Sequence, residues 1–411
     1  MIRFFLFILS CFFLFQANGK TIIVGPNQPI RSIQKAIDLS KDKDTILLQK
    51  GIYRQGSITL SKSLTIIGED FPVLDGEKKY EILLISGKNI TIKGIRFINS
   101  GYSSMNDFAS IKLVDSENIL LENNIIVNSF FAIHISNTQK VTIRNNQISG
   151  SPVSEQLTGN GIHLWKSNYA LIENNHIQGH RDGIYFEFVT ESMIRKNVSE
   201  DNIRYGLHFM FSNSDSYQEN IFRNNGAGVA VMYSKKVTMN KNYFEQNWGP
   251  SAYGLLLKDI TDSFIRNNTF LKNTVGINME GSSRMQIEKN LFKNNGWAMK
   301  VQASCDDNVF YYNNFTGNSF DVGTNGTLVL NKFINNYWDK YDGYDINKDG
   351  IGDVPYRPVS LYSMIIEQNP TTLMLFRSFT VSLLDKAEKA IPGLTPENLF
   401  DEKPMMKFLK L

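Results

Sequence analysis

Three residues of this 411-residue chain carry soft metal donors at a spacing that brings them together: His208, Met210 and Met232. His208 and Met210 are two residues apart, so in a β-strand their side chains point to the same side. Met232 follows one period later in a repeat that runs through the chain. Thioether and imidazole donors select Cu(I) among the biological metals, so the group predicts a copper site.

The elements that must position these donors are the turns of a solenoid. Segments of one pattern recur roughly 20 to 29 residues apart, and a fixed period of this size indicates stacked repeats. The segments are GIHLW (161–165), GIYFE (183–187), GLHFM (206–210), GVAVM (228–232), GLLLK (254–258), GINME (276–280) and GWAMK (296–300). We therefore predict an all-β fold, a right-handed parallel β-helix with a short N-terminal cap helix and a C-terminal α-helical docking segment.

Strand alternation sorts the five positions of these segments into two sides. Positions two and four are apolar throughout and face inward, so positions three and five face outward. Position three reads His163, Tyr185, His208, Ala230, Leu256, Asn278 and Ala298, and the earlier segment AIHIS adds His134. Position five reads Trp165, Glu187, Met210, Met232, Lys258, Glu280 and Lys300.

The register predicts two kinds of residue at the copper site. His208, Met210 and Met232 are the candidate ligands, and His163, Tyr185 and Glu187 lie one or two turns away, where they could orient them. Two plainer interpretations stay open, since an outward histidine is usually a surface residue and a methionine pair usually packs.

Two further columns predict architecture alone. An asparagine column predicts a hydrogen-bonded ladder at one corner, since asparagine side chains bond turn backbone. Its members are Asn124, Asn146, Asn175, Asn197, Asn220, Asn242, Asn268, Asn290, Asn313 and Asn331. A phenylalanine column two residues later predicts a stacked core, with Phe222, Phe244, Phe270, Phe292, Phe315 and Phe333.

A second candidate metal site lies in the segment DINKDGIGD. Its oxygen-bearing residues match positions of a Ca²⁺ loop, but the expected bidentate glutamate is replaced by Tyr356. The alternative is an Asx-rich turn that closes the solenoid, and either role is structural. The residues are Asp345, Asn347, Asp349, Ile351 (through its carbonyl) and Asp353.

The organisation along the chain follows from these patterns. We expect a signal peptide at 1–19, a cap at 20–60, β-helix repeats at 61–338, an Asp/Gly-rich closing loop at 339–358, and C-terminal helices with a docking tail at 359–411. The first segment has Arg3, an apolar run and a small-residue cleavage signal. Lipidation at Cys11 is the alternative to simple cleavage. Export would leave Cys305 alone, so no disulfide framework is expected. The net charge of +3 gives no reason to expect nucleic acid as a partner.

The segments GLHFMFS, GAGVAVMYS and YGLLLKD, with NNYWDKYDGYDINKDGIGDVPYRPVSLYS and LTPENLFD, resemble the NosD family over roughly residues 20 to 405. The resemblance implies a non-catalytic periplasmic accessory protein that binds copper transiently during nitrous oxide reductase maturation. It implies, as partners, the ATPase and membrane subunits of an ATP-binding-cassette transporter, a copper-donating lipoprotein and apo nitrous oxide reductase. We expect the C-terminal segment to dock on the transporter and so hold the protein at the inner membrane. The family's His and Met motif positions fall on His208, Met210 and Met232.

A carbohydrate-active enzyme, either a polysaccharide lyase or a hydrolase, is the alternative function on the same fold. Such sites need clustered acids, or a base near Ca²⁺, in a groove. Glu187 and Glu280 are four turns apart, about 19 Å by strand spacing. Paired catalytic carboxylates lie about 5–10 Å apart, so the columns favour the copper protein.

Overall fold

The computed structural model describes residues 19–103, 106–326, 330–391 and 399–411, which form a parallel β-helix. Equivalent strands of successive turns pair in parallel into sheets of 14, 12 and 13 strands. The predicted fold class is confirmed, including the short N-terminal cap helix and the C-terminal helical segment. The predicted signal peptide, apart from Gly19, lies outside the described residues, as does Cys11.

The strands are short and their bounds follow the repeat. The 14-stranded sheet contains Thr21–Val24, Thr45–Leu48, Thr65–Gly68, Lys88–Lys93, Glu117–Glu122, Gln139–Arg144, Leu171–Glu173, Met193–Arg195, Ser216–Gln218, Thr238–Asn240, Phe264–Arg266, Gln286–Glu288, Asp306–Tyr311 and Leu330–Ile334. The 13-stranded sheet contains Ile52–Tyr53, Val73–Asp75, Arg96–Ile98, Ile125–Val127, Gln147–Ser149, His176–Gln178, Val198–Glu200, Ile221–Arg223, Tyr243–Glu245, Thr269–Leu271, Leu291–Lys293, Asn314–Thr316 and Tyr337–Trp338.

The 12-stranded sheet carries the repeated segments of the sequence analysis. Its strands are Ile58–Leu60, Leu83–Ile85, Ala109–Val114, Phe131–Ser136, Ile162–Trp165, Asp182–Glu187, Tyr205–Met210, Ala227–Met232, Tyr253–Lys258, Val275–Glu280, Trp297–Val301 and Phe320–Gly323. Within a strand the inward residues are fully buried, as Leu207 and Phe209 are. The inward faces of the three sheets enclose one apolar core.

Stacked rings fill the core along the 13-stranded sheet. The rings of Phe244, Phe270, Phe292 and Phe315 are nearly parallel, with centroids 4.6 to 4.9 Å apart. The stack ends on Trp338, 4.0 Å from Phe315.

The prediction that Phe333 is the last member of that column was wrong. Phe333 stacks instead on Phe310 at 4.3 Å, because both residues lie on neighbouring strands of the 14-stranded sheet. The chain reaches the 13-stranded sheet only at Tyr337–Trp338, so Trp338 occupies the position that Phe333 was expected to fill.

The asparagine ladder exists, and its bonds run from turn to turn. Asn242 donates its side-chain amide to Asn268 Oδ1 at 3.1 Å and to the Tyr217 carbonyl at 2.9 Å. Its tenth member is Asn336 and not Asn331, which belongs to a neighbouring ladder with Asn308. The ladder asparagines are not the left-handed residues of the corner, because that conformation falls on the residue before each of them.

The two ends of the solenoid are covered by different means. Helix α1, Ile33–Leu39, begins after Ser32, whose hydroxyl accepts a hydrogen bond from the Lys35 amide, and its Ile33, Ala36 and Ile37 are buried against the first turn. At the other end, the buried carboxylate of Asp401 accepts hydrogen bonds from the Asn336 amide and side chain at 3.0 and 2.9 Å. The chain's tail therefore closes the asparagine ladder.

Helices α2 (Leu361–Gln368) and α3 (Phe379–Ala390), joined by a 3₁₀ helix at Pro370–Leu375, lie beside the last turns. Tyr362 and Val381 pack with Trp297 and Phe320 in a small apolar cluster of their own. Among the described residues, no helix combines the length and apolar character that a membrane span requires.

Candidate functional site

Strand pairing places the predicted ligands on adjacent strands of the 12-stranded sheet. His208 pairs with Tyr185 on one side and Ala230 on the other, while Met210 pairs with Glu187 and Met232. One column therefore carries imidazole and phenol rings, and the column beside it carries carboxylate and thioethers. Both run along the outward side of the sheet, as the sequence register predicts.

The seventh segment is out of the predicted register. Lys300 pairs with Asn278 and takes the place expected for Ala298, which is fully buried instead. The shift places Trp297 on the outward side, where it stacks on Phe320 at 4.3 Å beneath the C-terminal helices. The turns that carry His208, Met210 and Met232 lie nearer the N-terminal end of the solenoid and keep the predicted register.

His208 is an outward residue that is nevertheless 95% hidden from solvent. The rings of Tyr185 and Tyr205 enclose it, with centroids 4.9 and 4.8 Å from that of His208. Neither ring nitrogen has a hydrogen-bond partner among the described residues. A buried imidazole without partners costs stability, so packing alone does not account for it.

Asp182 and Arg204 were not predicted as site residues. The carboxylate of Asp182 is fully buried, with Oδ2 3.9 Å from His208 Nδ1. Arg204 holds it through two contacts of 2.9 and 2.6 Å and contacts Glu155 at 3.3 Å. Burial alone would raise the pKa of Asp182, but the His208 imidazole and the Arg204 guanidinium outweigh it and lower the pKa.

A negative charge is thus fixed beside His208. Metal-bound histidines usually direct their second nitrogen to a carboxylate, which sets the tautomer and the ring orientation. The sequence signal for Asp182 is its place just before Gly183, at the start of a repeated segment. The pairing with Arg204 could not be read from the sequence, because Arg204 lies in the turn before the next strand.

The methionine pair is half-buried and directly paired across the strands. The Tyr185 hydroxyl lies 3.5 Å from Met210 Sδ and 3.4 Å from Glu187 Oε2, so it connects both columns. Burial and the negative charge of Glu187 raise the pKa of Tyr185 to about 12, which keeps its hydroxyl protonated. Met232 completes a patch in which two thioethers lie one strand apart, near the His208 imidazole.

His163, predicted to orient the ligands, does not contact His208. Tyr185 separates them, with ring centroids 4.7 Å from His163 and 4.9 Å from His208. His163 pairs instead with His134, the next member of the column. Of the residues predicted to orient the ligands, Tyr185 and Glu187 reach the methionines and His163 does not.

Beyond His208 toward the C-terminal end, the described part of this column carries no further imidazole or thioether. Past His208 its column continues with Ala230, Leu256, Asn278 and Lys300. Within the described part of the chain, no group of three or more His, Cys, Asp or Glu is placed to hold a metal ion. The candidate site therefore depends on sulfur donors.

The predicted calcium residues do lie in one loop, where their oxygens bond the loop's own backbone. Asp345 accepts from the amides of Asp349 and Gly350 at 3.2 and 2.8 Å, and Asp353 accepts from Ile346 at 2.6 Å. These bonds are those of an Asx-rich turn. Calcium binding here stays a prediction.

A cavity of about 1010 Å³ lies at the far end of the solenoid, between the last turns and helices α2 and α3. Its buried Asp321 contacts Lys340 Nζ at 3.3 Å and accepts a hydrogen bond from the Tyr356 hydroxyl at 3.1 Å. Burial raises the pKa of Asp321. The lining contains no methionine, histidine or cysteine, so this cavity does not suit a soft metal.

Comparison with solved structures shows the fold. The catalytic domain of a GH87 α-1,3-glucanase aligns with a TM-score of 0.61 and 12% identity, over 79% of this chain and 70% of that chain. The A-module of the mannuronan C-5 epimerase AlgE6 from Azotobacter vinelandii aligns with a TM-score of 0.53 and 13% identity, over 74% and 88%. At these identities the likeness is one of β-helix architecture.

Comparison of sequences shows the family. Relatives from Stutzerimonas stutzeri and Pseudomonas aeruginosa, each named "Probable ABC transporter binding protein NosD", are 29% and 28% identical to this chain. Each alignment covers 86% of this chain, and 85% and 86% of the respective relative. The family model described as "Periplasmic copper-binding protein (NosD)" matches residues 145–350, half of the chain, and spans the turns that carry His208, Met210 and Met232. The chain belongs to the NosD family of periplasmic copper-binding proteins.

Proposed function

We propose that this protein binds Cu(I) at His208, Met210 and Met232 and passes it on for maturation of the catalytic copper centre of nitrous oxide reductase. The observation that carries the proposal is the pairing of Met210 with Met232, one strand apart, beside His208, whose ring nitrogens have no hydrogen-bond partner among the described residues. Soft donors of this kind suit Cu(I). An open set of three donors leaves a coordination position for the protein that delivers or receives the ion.

The fixed charge of Asp182 supports this role. Its carboxylate lies on the Nδ1 side of His208 and favours a proton on that nitrogen, which leaves Nε2 free to bind copper. The neighbouring Tyr185 hydroxyl contacts Met210 Sδ and would limit the thioether's freedom before copper arrives.

The test replaces both thioethers by residues of similar size. In Met210→Leu/Met232→Leu we expect Cu(I) affinity to fall by at least about tenfold, since even loss of an orienting group commonly costs 10–100-fold. Anaerobic competition with a chromophoric Cu(I) chelator measures it, and copper loading of the reductase in cells should fall in parallel. Met193→Leu, on the outward side of the 14-stranded sheet, is the matched control. Unchanged affinity in the double variant would refute the site.

We propose that the C-terminal helices dock on the membrane subunit of an ATP-binding-cassette transporter, so that the protein works in the periplasm at the inner membrane after export. Their packed side lies on the solenoid, while Met374, Phe379 and Leu383 are exposed. The tail is less suited to docking than expected from sequence, because Leu399 and Asp401 are buried in the solenoid end. The names of both relatives support a transporter partner.

Point variants test this docking better than a deletion, since removing the tail would also remove Asp401 from the ladder. Met374→Ser/Phe379→Ser should abolish co-purification with the co-expressed transporter and leave Cu(I) affinity unchanged. Phe408→Ser, also exposed but on the tail, is the control and should retain the complex. Persistent association of the double variant would exclude this surface.

A further inference from the structure

The outward ring column contains a second group of donors beyond Tyr185. His134 and His163 lie on neighbouring strands and are direct partners in the register. Their ring centroids are 4.8 Å apart, close to the spacing of the strands themselves. Two imidazoles, with ring planes 39° apart, thus lie on neighbouring strands on the same side of the sheet as the candidate thioether site.

The bonding of His134 is incomplete for a residue so deeply placed. It is 93% hidden from solvent, and its Nδ1 has no hydrogen-bond partner among the described residues. Its Nε2 lies 3.6 Å from Asp107 Oδ2. His163 Nδ1 accepts a hydrogen bond from the side-chain nitrogen of Asn160 at 3.1 Å, and copper bound at Nδ1 would replace that bond. A histidine kept only for packing would be expected to satisfy both of its ring nitrogens.

Aromatic side chains surround the pair and restrict water. Phe131 meets His134 and His163 edge-on, with centroids 5.3 and 5.5 Å away, and Tyr185 closes the other side of His163 at 4.7 Å. Zinc sites use at least three protein ligands, and no such His/Cys/Asp/Glu cluster exists in the described part of the chain. Cu(I), which accepts two neutral nitrogen donors, fits the pair better.

We propose that His134 and His163 form a second Cu(I) site, distinct from the site at His208, Met210 and Met232. Two strand spacings, roughly 10 Å, separate His163 from His208, so both sites can be filled at once. The proposal rests on the proposed copper function but uses different donors, nitrogen alone instead of nitrogen with sulfur. A chain of two sites along one column would give the protein a place to receive copper and another to release it.

The experiment counts bound copper and identifies its neighbours, with Cu(I) itself as the probe. Anaerobic titration should load two ions on the full-length mature protein, and X-ray absorption should show nitrogen and sulfur neighbours. In His134→Gln/His163→Gln one ion should remain, with its sulfur signal relatively stronger. In Met210→Leu/Met232→Leu one ion should also remain, with nitrogen neighbours only. His176→Gln, a histidine exposed on the 13-stranded sheet, is the control and should keep both.

The outcomes separate the two proposals. Unchanged copper content in the double histidine variant would overturn the second site and leave the thioether site intact. Unchanged content in the double methionine variant would overturn the thioether site alone. If the histidine variant does not fold, ¹⁵N chemical shifts decide the matter on the wild-type protein. The His134 and His163 ring nitrogens should shift as Cu(I) is added, and constant shifts would refute the proposal.

Discussion

On the inward side of the solenoid, the ring of Phe270 lies between those of Phe244 and Phe292, at 4.6 and 4.8 Å and within 5° of parallel. On the outward side, Tyr185 and Tyr205 lie 4.9 and 4.8 Å from His208 but at 72° and 51°. The spacing of neighbouring strands sets the ring distances in the inner column and that between Tyr185 and His208, whereas Tyr205 lies on the same strand as His208. The inner column repeats phenylalanine from turn to turn, whereas the outer column passes from His163 to Tyr185, His208 and Ala230 over successive turns. Fully buried His180, which lies outside this column, also has two unpartnered ring nitrogens, so the change of residue type is what distinguishes the outward column.

The largest effect should come from breaking the inner stack. Phe270→Ala should lower the free energy of unfolding by about 3–5 kcal/mol, since it leaves a cavity in a fully packed column. Urea denaturation followed by circular dichroism measures it. The control is Phe211→Ala on the outward side, where Phe211 stacks on Phe188 but remains 39% exposed. We expect less than about 1 kcal/mol there, and equal losses would remove the distinction between the two sides.

A second prediction concerns Asp215, a carboxyl group at a buried position that Asn308 fills in a later turn. Asp215 accepts a hydrogen bond from the Ser192 amide at 2.8 Å, while its Oδ2 is buried without a partner among the described residues. Burial raises the pKa of Asp215 from 3.8 to about 8. Asn308 fills the equivalent position in a later turn, where its side-chain nitrogen donates to a carbonyl at 2.9 Å.

Asp215→Asn should therefore stabilise the protein by roughly 1–3 kcal/mol near pH 7.5, since the amide cannot ionise and its nitrogen can donate as that of Asn308 does. A raised folded-state pKa contributes stability that is complete below pH 3.8 and is lost as pH rises through about 8. The difference in unfolding free energy between variant and wild type should thus grow from pH 3.8 to about pH 8 and then level off. The buried histidines also make the free energy of unfolding depend on pH, in the opposite sense, because their pKa values are lowered. Comparing variant with wild type at each pH cancels this contribution. A difference independent of pH would contradict the prediction.

The fold could be read from the sequence because period, alternation and stacking act locally and identically in every turn. The incorrect predictions fall in the last turns of the solenoid, where the sequence repeat ends. Asn331, Phe333 and Ala298 were misplaced because the last turns meet the C-terminal helices and the tail, and those contacts are not periodic.

The candidate site was predicted only in part, for a related reason. The column of His208 and the pair Met210 and Met232 followed from strand alternation. The partnership of Asp182 with Arg204 did not, because the arginine approaches from a turn whose path no repeat specifies. Residues on strands are therefore predictable here, and residues that reach the site from connecting turns are not.

The smallest and most discriminating effect should come from that unpredicted pair. Asp182→Asn keeps the size of the side chain but removes the charge beside His208 Nδ1. If Asp182 fixes the tautomer, Cu(I) affinity should fall about 10–100-fold, the usual cost of losing an orienting group. The ¹⁵N shifts of His208 should show Nδ1 less protonated in the variant, and a merely structural role would not produce that change. Glu173→Gln removes the largely buried carboxylate partner of Arg195 on the 14-stranded sheet and should leave affinity and tautomer unaltered. Equal effects of the two variants would mean that loss of any buried ion pair loosens the solenoid. An effect confined to Asp182 would show that its buried carboxylate orients His208 for copper binding. The inner ladders, which only stabilise the fold, require no such charge.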